Sequence, residues 1–142
     1  MTAQGQACRI RKNVSSSAAD TDFTVKLIDV HPPSADYPAG FAMNLTDGIL
    51  RCRHRDSFET PSPLEPGRIY DVTVEAPGTA NLFARGHRIR VDISSSDFPR
   101  FDVNSGTGEP ETTDRRQVTA TNRVFVDGRS TITLHLLAVE QI

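Results

Sequence analysis

A short segment in the second half of the chain contains the residue types of a serine hydrolase triad. His87, Asp92, Asp97 and three consecutive serines, Ser94–Ser96, lie close together in the sequence. In a triad the histidine accepts the serine proton and the aspartate orients the histidine. His87 and Asp92, however, are separated by an odd number of positions, so a strand here directs them to opposite faces. We therefore assign no catalytic residue and expect the serine hydroxyls to bond backbone groups where the strand ends.

The nucleophile elbow of α/β-hydrolases is absent from the sequence. That elbow reads G-x-S-x-G and lies on a sharp turn between a strand and a helix. No serine of this chain has a glycine two residues away on both sides. No segment shows a convincing helical period that could place such an elbow. The sequence therefore predicts no nucleophile of this type within its 142 residues.

The remaining histidines and cysteines are not spaced along the sequence like the ligands of a metal site. The other histidines and the two cysteines occur singly, at His31, His54, His135, Cys8 and Cys52. We expect packing or surface roles for these histidines and free thiols for both cysteines. Asp102 and Asn104 begin like a calcium loop, but Gly106 occupies the next ligand position. The sequence predicts no cofactor and no metal ion.

The segment that carries these residues has the pattern of a strand followed by a turn. In residues 88–93, RIRVDI, apolar and charged residues alternate, which is typical of a strand with one buried face. Pro99 lacks a backbone donor and must follow the end of this strand. The exit loop, Ser94–Asn104, contains Phe98 and Phe101 on either side of that proline. We expect the two rings to anchor the loop to the core.

Three segments together resemble one known family. Residues 83–104 read F-x-x-G-H-R-I-R-V-D-I-S-S-S-D-F-P-R-F-D-x-N, residues 15–30 read S-S-S-x-x-D-T-D-F-x-x-x-L-x-D-V, and residues 47–55 read D-G-I-L-R-x-R-x-R. This set resembles the C-terminal domain of the cocaine esterase and X-Pro dipeptidyl-peptidase family of serine hydrolases. The resemblance implies a jelly-roll β-sandwich of galactose-binding-like fold. It also implies a non-catalytic accessory domain that stabilises or frames the active site of an α/β-hydrolase domain or subunit.

That family packs its C-terminal domain against the hydrolase domain, which indicates two docking candidates. One is the exit loop with Phe98, Pro99, Arg100 and Phe101, and the other is an arginine row, Arg51, Arg53 and Arg55. An arginine row is also typical of a solvated strand face. An alternative function is a stand-alone carbohydrate- or ligand-binding β-sandwich. The lack of tryptophan and the two tyrosines argue against sugar binding.

The rest of the chain reads as short strands separated by turns, which predicts an all-β sandwich. The expected elements are a strand over 23–31 with a bulge near Ile28, an edge at 44–46 before an Asp47-Gly48 turn, strands over 49–55 and 68–75, a mobile loop over 105–119, and strands over 123–126 and 131–139 joined by an Asp127-Gly128 hairpin turn. Ile132, Leu134 and Leu136 are expected in the core. The domain is predicted over residues 15–142, with 1–14 poorly patterned, which leaves open whether the first strand is present.

Composition restricts the partners. The formal charge is −2, and no basic stripe suited to phosphates is present, so nucleic acid is not an expected partner. No apolar run approaches the roughly 18 residues of a membrane span, and we expect a cytoplasmic protein. Association of two copies through an open sheet edge remains open.

Overall fold

The computed structural model describes residues 8–109, 116–126, 128 and 130–134. Within these ranges the chain forms strands and one 3-10 turn but no α-helix, so no described helix could cross a lipid bilayer. The strands are β1 (Cys8–Ser16), β2 (Asp22–His31), β3 (Phe41–Arg51), β4 (Tyr70–Ala76), β5 (Arg88–Ser94), β6 (Asn122–Phe125) and β7 (Thr131–Thr133), and the 3-10 turn is Cys52–His54. The prediction of an all-β chain is confirmed.

The strands form two antiparallel sheets. One has the order β4-β1-β6, with β7 also paired to β1, and the other has the order β3-β2-β5. Residues from both sheets form one hydrophobic cluster, in which Ile10 and Val14 of β1 join Val25 of β2 and Val72 of β4. Burying such side chains contributes about 1.5–3 kcal/mol each relative to exposure. The predicted β-sandwich is therefore confirmed.

β1 extends the fold further towards the N-terminus than the sequence predicted. Cys8, Ile10 and Val14 are buried, while Arg9 and Arg11 are exposed, which gives this strand an inner and an outer face. β1 lies in the middle of its sheet, between β4 on one side and β6 and β7 on the other. Residues 8–14, which the sequence left outside the predicted domain, thus form most of a central strand. The charged residues on the outer face of β1 made its alternation of buried and exposed positions difficult to recognise in the sequence.

β2 is the central strand of the second sheet. Phe23, Val25 and Leu27 share the buried face. The register with β3 shifts between Leu27 and Ile28, at the expected position, but the extra residue is Leu45 of β3, because Leu27 pairs with Thr46 and Ile28 pairs with Asn44. The bulge expected in β2 therefore lies in β3, and Ile28 is buried on the other face of β2 by the ordinary alternation of a strand.

The predicted Asp47-Gly48 turn is wrong, because both residues lie inside the continuous strand β3. A Cβ atom at Gly48 would lie 2.1 Å from the backbone oxygen of Glu75 in β4. The glycine is therefore required for close approach of the two sheets and not for a reversal of the chain. The predicted strand over 49–55 is also corrected, since β3 ends at Arg51 and the 3-10 turn follows.

The predicted hairpin between the last two strands is wrong as well. β6 pairs with Asn13–Ser16 of β1, and β7 pairs with Arg9–Arg11 of the same strand. The two strands therefore lie end to end along one edge of β1, and Gly128 falls in the interruption between them. Ile132 is 47% exposed, whereas Leu134 packs against the core. Asp127 and residues 135–139, including Leu136, lie outside the described residues.

The predicted mobile loop over 105–119 is described only near its two ends. The amide of Val118 donates a hydrogen bond of 2.8 Å to the carbonyl of Ser105, so these ends are joined. Gly106 has a φ of +76°, which favours glycine, and an added Cβ would lie 2.9 Å from the carbonyl oxygen of Val118. Residues 110–115 lie outside the described residues, and the mobility of the loop stays a prediction.

Candidate functional site

Two buried carboxylate clusters lie towards opposite ends of β2. The first, which we call the arginine-paired cluster, consists of Asp20, Asp22, Arg51, Arg53 and Asn104. The guanidinium of Arg51 donates to both carboxylate oxygens of Asp22, at 3.0 and 3.1 Å. Asp20 accepts the backbone amide of Arg53 at 2.9 Å, and the Arg53 side chain lies 3.6 Å away. The side-chain amide of Asn104 donates to both aspartates.

This arrangement corrects the predicted cationic strand face. Arg53 and Arg55 lie in and just after the 3-10 turn, so the three arginines do not project from one regular strand. Arg55 donates to Ser62 and lies over the ring of Tyr70, 4.5 Å from its centroid. The hydrogen bonds that Arg51 donates to Asp22 raise the pKa of its guanidinium and outweigh burial, which lowers it. The charges of this row are therefore used inside the domain.

The exit loop is held at two points by ion pairs. The Lys26 ammonium lies 2.6 Å from Asp97, and the Arg100 guanidinium lies 2.7 Å from the largely buried carboxylate of Asp47. Arg100 also lies over the ring of Phe101. Phe98, joined to Pro99 by a cis peptide bond, is 71% exposed. The expectation that Phe98 anchors the loop to the core is wrong, because the ion pairs hold the loop while this ring faces solvent.

The triad candidates of the second half of the chain are not assembled. His87 Nδ1 donates to Asp29 at 2.9 Å, whereas Asp92 pairs with Arg90 and Asp97 pairs with Lys26. The hydroxyl of Ser94 donates to the backbone carbonyl of Ser96, in agreement with the expected local role. The described residues therefore place no histidine beside a serine of this segment in a catalytic arrangement.

A second cluster, which we call the histidine cluster, was missed by sequence reasoning. It consists of Asp29, His31 and His87, whose potential ligand atoms all lie within 4.8 Å of one another. The Asp29 carboxylate is buried and accepts hydrogen bonds from His87 and, at 3.1 Å, from the side chain of Asn81. The rings of His31 and His87 have their centroids 4.1 Å apart. His31 is thus not the isolated residue that its spacing indicated.

Strand pairing explains how this cluster forms. Asp29 and His31 are two positions apart on β2 and share one face. β2 pairs with β5 in a register that joins Val30 to Arg88, so His87 lies directly before the paired segment, next to His31. Burial alone would raise the pKa of Asp29, but hydrogen bonds from His87 and Asn81 and the nearby imidazole charges lower it overall. The aspartate therefore remains ionised at neutral pH.

An open cavity of about 470 Å³ adjoins the histidine cluster. Its lining includes His31, Pro32, Gly40, Phe41, Gly86 and Arg88. The ring of Phe41 packs edge-on against His31, with centroids 5.6 Å apart. The cavity therefore connects one side of the cluster to solvent.

Both cysteines are free and buried, as predicted for free thiols. Burial raises the pKa of the Cys52 thiol, and the negative charges of Asp20 and Asp22 raise it further, to about 12. Burial also raises the pKa of Cys8. Because the thiolate is the reactive form, neither side chain has the properties of a nucleophile at neutral pH.

Comparisons with known proteins match this architecture. The family model described as the X-Pro dipeptidyl-peptidase C-terminal non-catalytic domain matches residues 7–135. Cocaine esterase of Rhodococcus sp. (strain MB1 Bresler) is 50% identical over 95 residues, which cover 67% of this chain and 16% of the esterase.

Two solved structures are similar in fold and in sequence. An α-amino acid ester hydrolase superposes with a TM-score of 0.81 at 34% identity over 89% of this chain. An aminopeptidase from a marine sediment Thaumarchaeota archaeon superposes with a TM-score of 0.84 at 31% identity over 93% of this chain. The matched regions cover only 22% and 23% of those two proteins. The chain therefore spans a small part of the length of each relative.

Proposed function

Because the chain belongs to the X-Pro dipeptidyl-peptidase C-terminal non-catalytic domain family, we propose that it acts as an accessory domain of a serine hydrolase. In this role it docks against an α/β-hydrolase domain or subunit and stabilises or frames the active site there. The family match over residues 7–135 is the observation that carries the proposal. The absence of a nucleophile elbow from the sequence agrees with a non-catalytic role.

The associated catalytic domain would cleave carboxylic esters, with peptides that carry a penultimate proline as the second substrate class. Of the three relatives described above, two are named for ester hydrolysis and one is an aminopeptidase. Ester and peptide cleavage share the acyl-transfer chemistry of a serine nucleophile. The choice between these substrates would therefore depend on the catalytic domain.

The surface that docks is the exit loop, with Phe98, Pro99 and Arg100 at its tip. An exposed phenylalanine on a loop fixed by two ion pairs loses little conformational freedom on binding, which favours a tight contact. Aromatic and arginine side chains are also the residue types that contribute most to protein interfaces. Phe101, half-buried beneath Arg100, would support this tip.

The proposal gives the row of Arg51, Arg53 and Arg55 a structural role in place of a docking role. Each of these guanidinium groups already bonds to acceptors within the domain. Breaking such contacts to bind a partner would leave buried carboxylates without a counter-charge.

The finer fold description is also part of the proposal. Two facing antiparallel sheets with β1 between β4 and β6 are compatible with a jelly roll of galactose-binding-like type. The free thiols of Cys8 and Cys52 are compatible with a reducing compartment, in agreement with the expected cytoplasmic location.

A domain exchange tests the docking role. This chain would replace the corresponding C-terminal domain of the Rhodococcus cocaine esterase, and ester hydrolysis and thermal unfolding of the chimera would be measured. We expect an active chimera in which Phe98→Ser lowers the midpoint of thermal inactivation. Truncating a central aromatic contact costs about 2 kcal/mol, which corresponds to roughly 30-fold weaker docking.

Phe58→Ser is the matched control. Phe58 is also a loop phenylalanine and is 85% exposed, but it is not in the exit loop. Equal effects of the two substitutions would contradict docking through the exit loop. Turnover of an activated ester by the purified chain, abolished by Ser95→Ala, would contradict the accessory role itself.

A further inference from the structure

The histidine cluster has the composition of a transition-metal site. We propose that Asp29, His31 and His87 bind a divalent transition-metal ion such as Zn²⁺. Imidazole nitrogens and a carboxylate oxygen are common Zn²⁺ ligands, and three protein ligands with solvent in the fourth position form a recurrent arrangement. The proposal concerns a site separate from the exit loop and does not depend on the docking role.

The spacing of the donor atoms fits such an ion. Zn²⁺ bonds of about 2.0–2.1 Å in tetrahedral geometry require donor atoms about 3.4 Å apart. Oδ2 of Asp29 lies 3.0 Å from Nδ1 of His87 and 3.5 Å from Nε2 of His31, and the three potential ligand atoms all lie within 4.8 Å of one another. Rotation of the two rings on binding would bring both nitrogens to the spacing of a tetrahedral site.

His31 supplies an independent observation. Its Nε2 atom is buried and makes no hydrogen bond with the described part of the chain. Buried polar atoms in folded proteins nearly always have a partner, so an unpaired imidazole nitrogen aimed at a carboxylate requires an explanation. A metal ion between His31 and Asp29 would supply the missing partner.

The surroundings of the cluster resemble an outer ligand shell. Asn81 donates a hydrogen bond of 3.1 Å to Asp29 and would hold the carboxylate in place. The carboxylate of Asp29 is the acidic group of the cluster and would provide the negative charge that a cation needs. On binding, the Nδ1 proton of His87 would be replaced by the metal, and the neutral imidazole would carry its proton on Nε2.

The adjoining cavity gives the ion a path to solvent. Its lining includes His31 and Gly86, and the ring of Phe41 lies beside His31. Asp29 itself is only 1% exposed, so the ion would reach it from the side of His31, whose side chain is 33% exposed. The fourth coordination position would then be occupied by water from the cavity.

Zinc titration of the untagged chain, after removal of metal with a chelator, tests the proposal. We expect one equivalent of Zn²⁺ to bind in calorimetry and to raise the thermal midpoint, with no such shift from Mg²⁺ because imidazole ligands disfavour it. Co²⁺ should give the visible absorption of a tetrahedral site. His31→Ala should abolish all three signals, and Asn81→Ala should weaken Zn²⁺ binding by about 10–100-fold.

His54→Ala is the control, because His54 is a half-buried histidine that lies outside the cluster and stacks on Phe58. It should leave zinc affinity unchanged. His31→Ala removes no hydrogen bond of Nε2, so the variant should remain folded, which a urea unfolding curve of the metal-free protein would verify. Absence of zinc binding in the parent chain, or equal zinc affinity in His31→Ala and the parent, would overturn the proposal.

Discussion

The arginine-paired cluster and the histidine cluster both contain buried aspartates, but the aspartates of the two clusters have different partners. Asp20 and Asp22 are 0% and 1% exposed, and Asp29 is 1% exposed. The first two aspartates face guanidinium groups that are always charged. Asp29 instead faces two imidazoles, which carry a charge only when protonated.

This difference separates a structural ion cluster from a site that could accept a ligand. A guanidinium fills its position permanently and donates several hydrogen bonds, so no room or charge is left for another cation. Imidazoles next to a carboxylate leave a lone pair that a metal can use. Burial of an acid is therefore not enough to identify a functional site, and the identity of its counter-charge decides the interpretation.

Removal of the guanidinium from the arginine-paired cluster should have the largest effect on stability. Arg51→Met leaves the buried carboxylate of Asp22 without its counter-charge, although the bond from Asn104 remains. Breaking a buried ion pair on one side costs about 3–5 kcal/mol. Urea denaturation should show this loss in the free energy of unfolding, and a loss under 1 kcal/mol would mean that the cluster contributes little.

Substitutions in the histidine cluster should destabilise the metal-free protein less than Arg51→Met does. The two histidines should also differ from each other in the size of this effect. His87→Ala removes the hydrogen bond to Asp29, whereas His31→Ala removes a side chain whose Nε2 is unpaired. We expect His87→Ala to destabilise the domain more than His31→Ala and less than Arg51→Met. Thermal unfolding of the three variants in chelator would establish the order, and a reversal of the two histidine effects would contradict the hydrogen-bond assignment.

The thiol of Cys52, which is buried near Asp20 and Asp22 of the arginine-paired cluster, should make the stability of the domain depend on pH. Its pKa is raised from 9.0 to about 12 in the folded chain, so above pH 9 the unfolded state loses a proton that the folded state retains. The contribution is therefore fully present below pH 9 and decreases as the pH rises towards 12. Between pH 8 and pH 10 the free energy of unfolding should fall by about 1 kcal/mol from this group.

Cys52→Ala provides the reference for that measurement. The variant should be less stable at every pH because it leaves a small cavity, but its free energy of unfolding should decline less steeply above pH 9. Parallel pH curves for the parent and the variant would show that the Cys52 pKa is not raised.

The smallest effect is expected at an exposed ion pair. Arg9 and Glu75 face each other across β1 and β4, and their side chains are 61% and 54% exposed. Arg9→Met should change the free energy of unfolding by no more than about 1 kcal/mol, because solvent and salt screen such pairs. A loss as large as that of Arg51→Met would remove the distinction between buried and exposed arginines in this fold.

Local sequence patterns predicted several elements of the fold correctly. The alternation in residues 88–93 marked β5, and the change of apolar face after Leu27 marked the position at which the register between β2 and β3 shifts. These features depend on neighbouring residues of one strand, which the sequence shows directly. The Asp47-Gly48 turn was wrong because the reason for this glycine is the carbonyl of Glu75, 27 positions further along the chain.

Short apolar runs separated by turn residues determined the all-β class, and the three signature segments determined the family. The sequence also indicated the exit loop as a place where aromatic residues surround a proline, but not that Phe98 faces solvent. Only the pairing of β2 with β5 brings His87 beside Asp29 and His31. Sheet register and burial depend on contacts between segments that are far apart in the sequence. Only the tertiary structure therefore determines which charged group lies beside each buried aspartate.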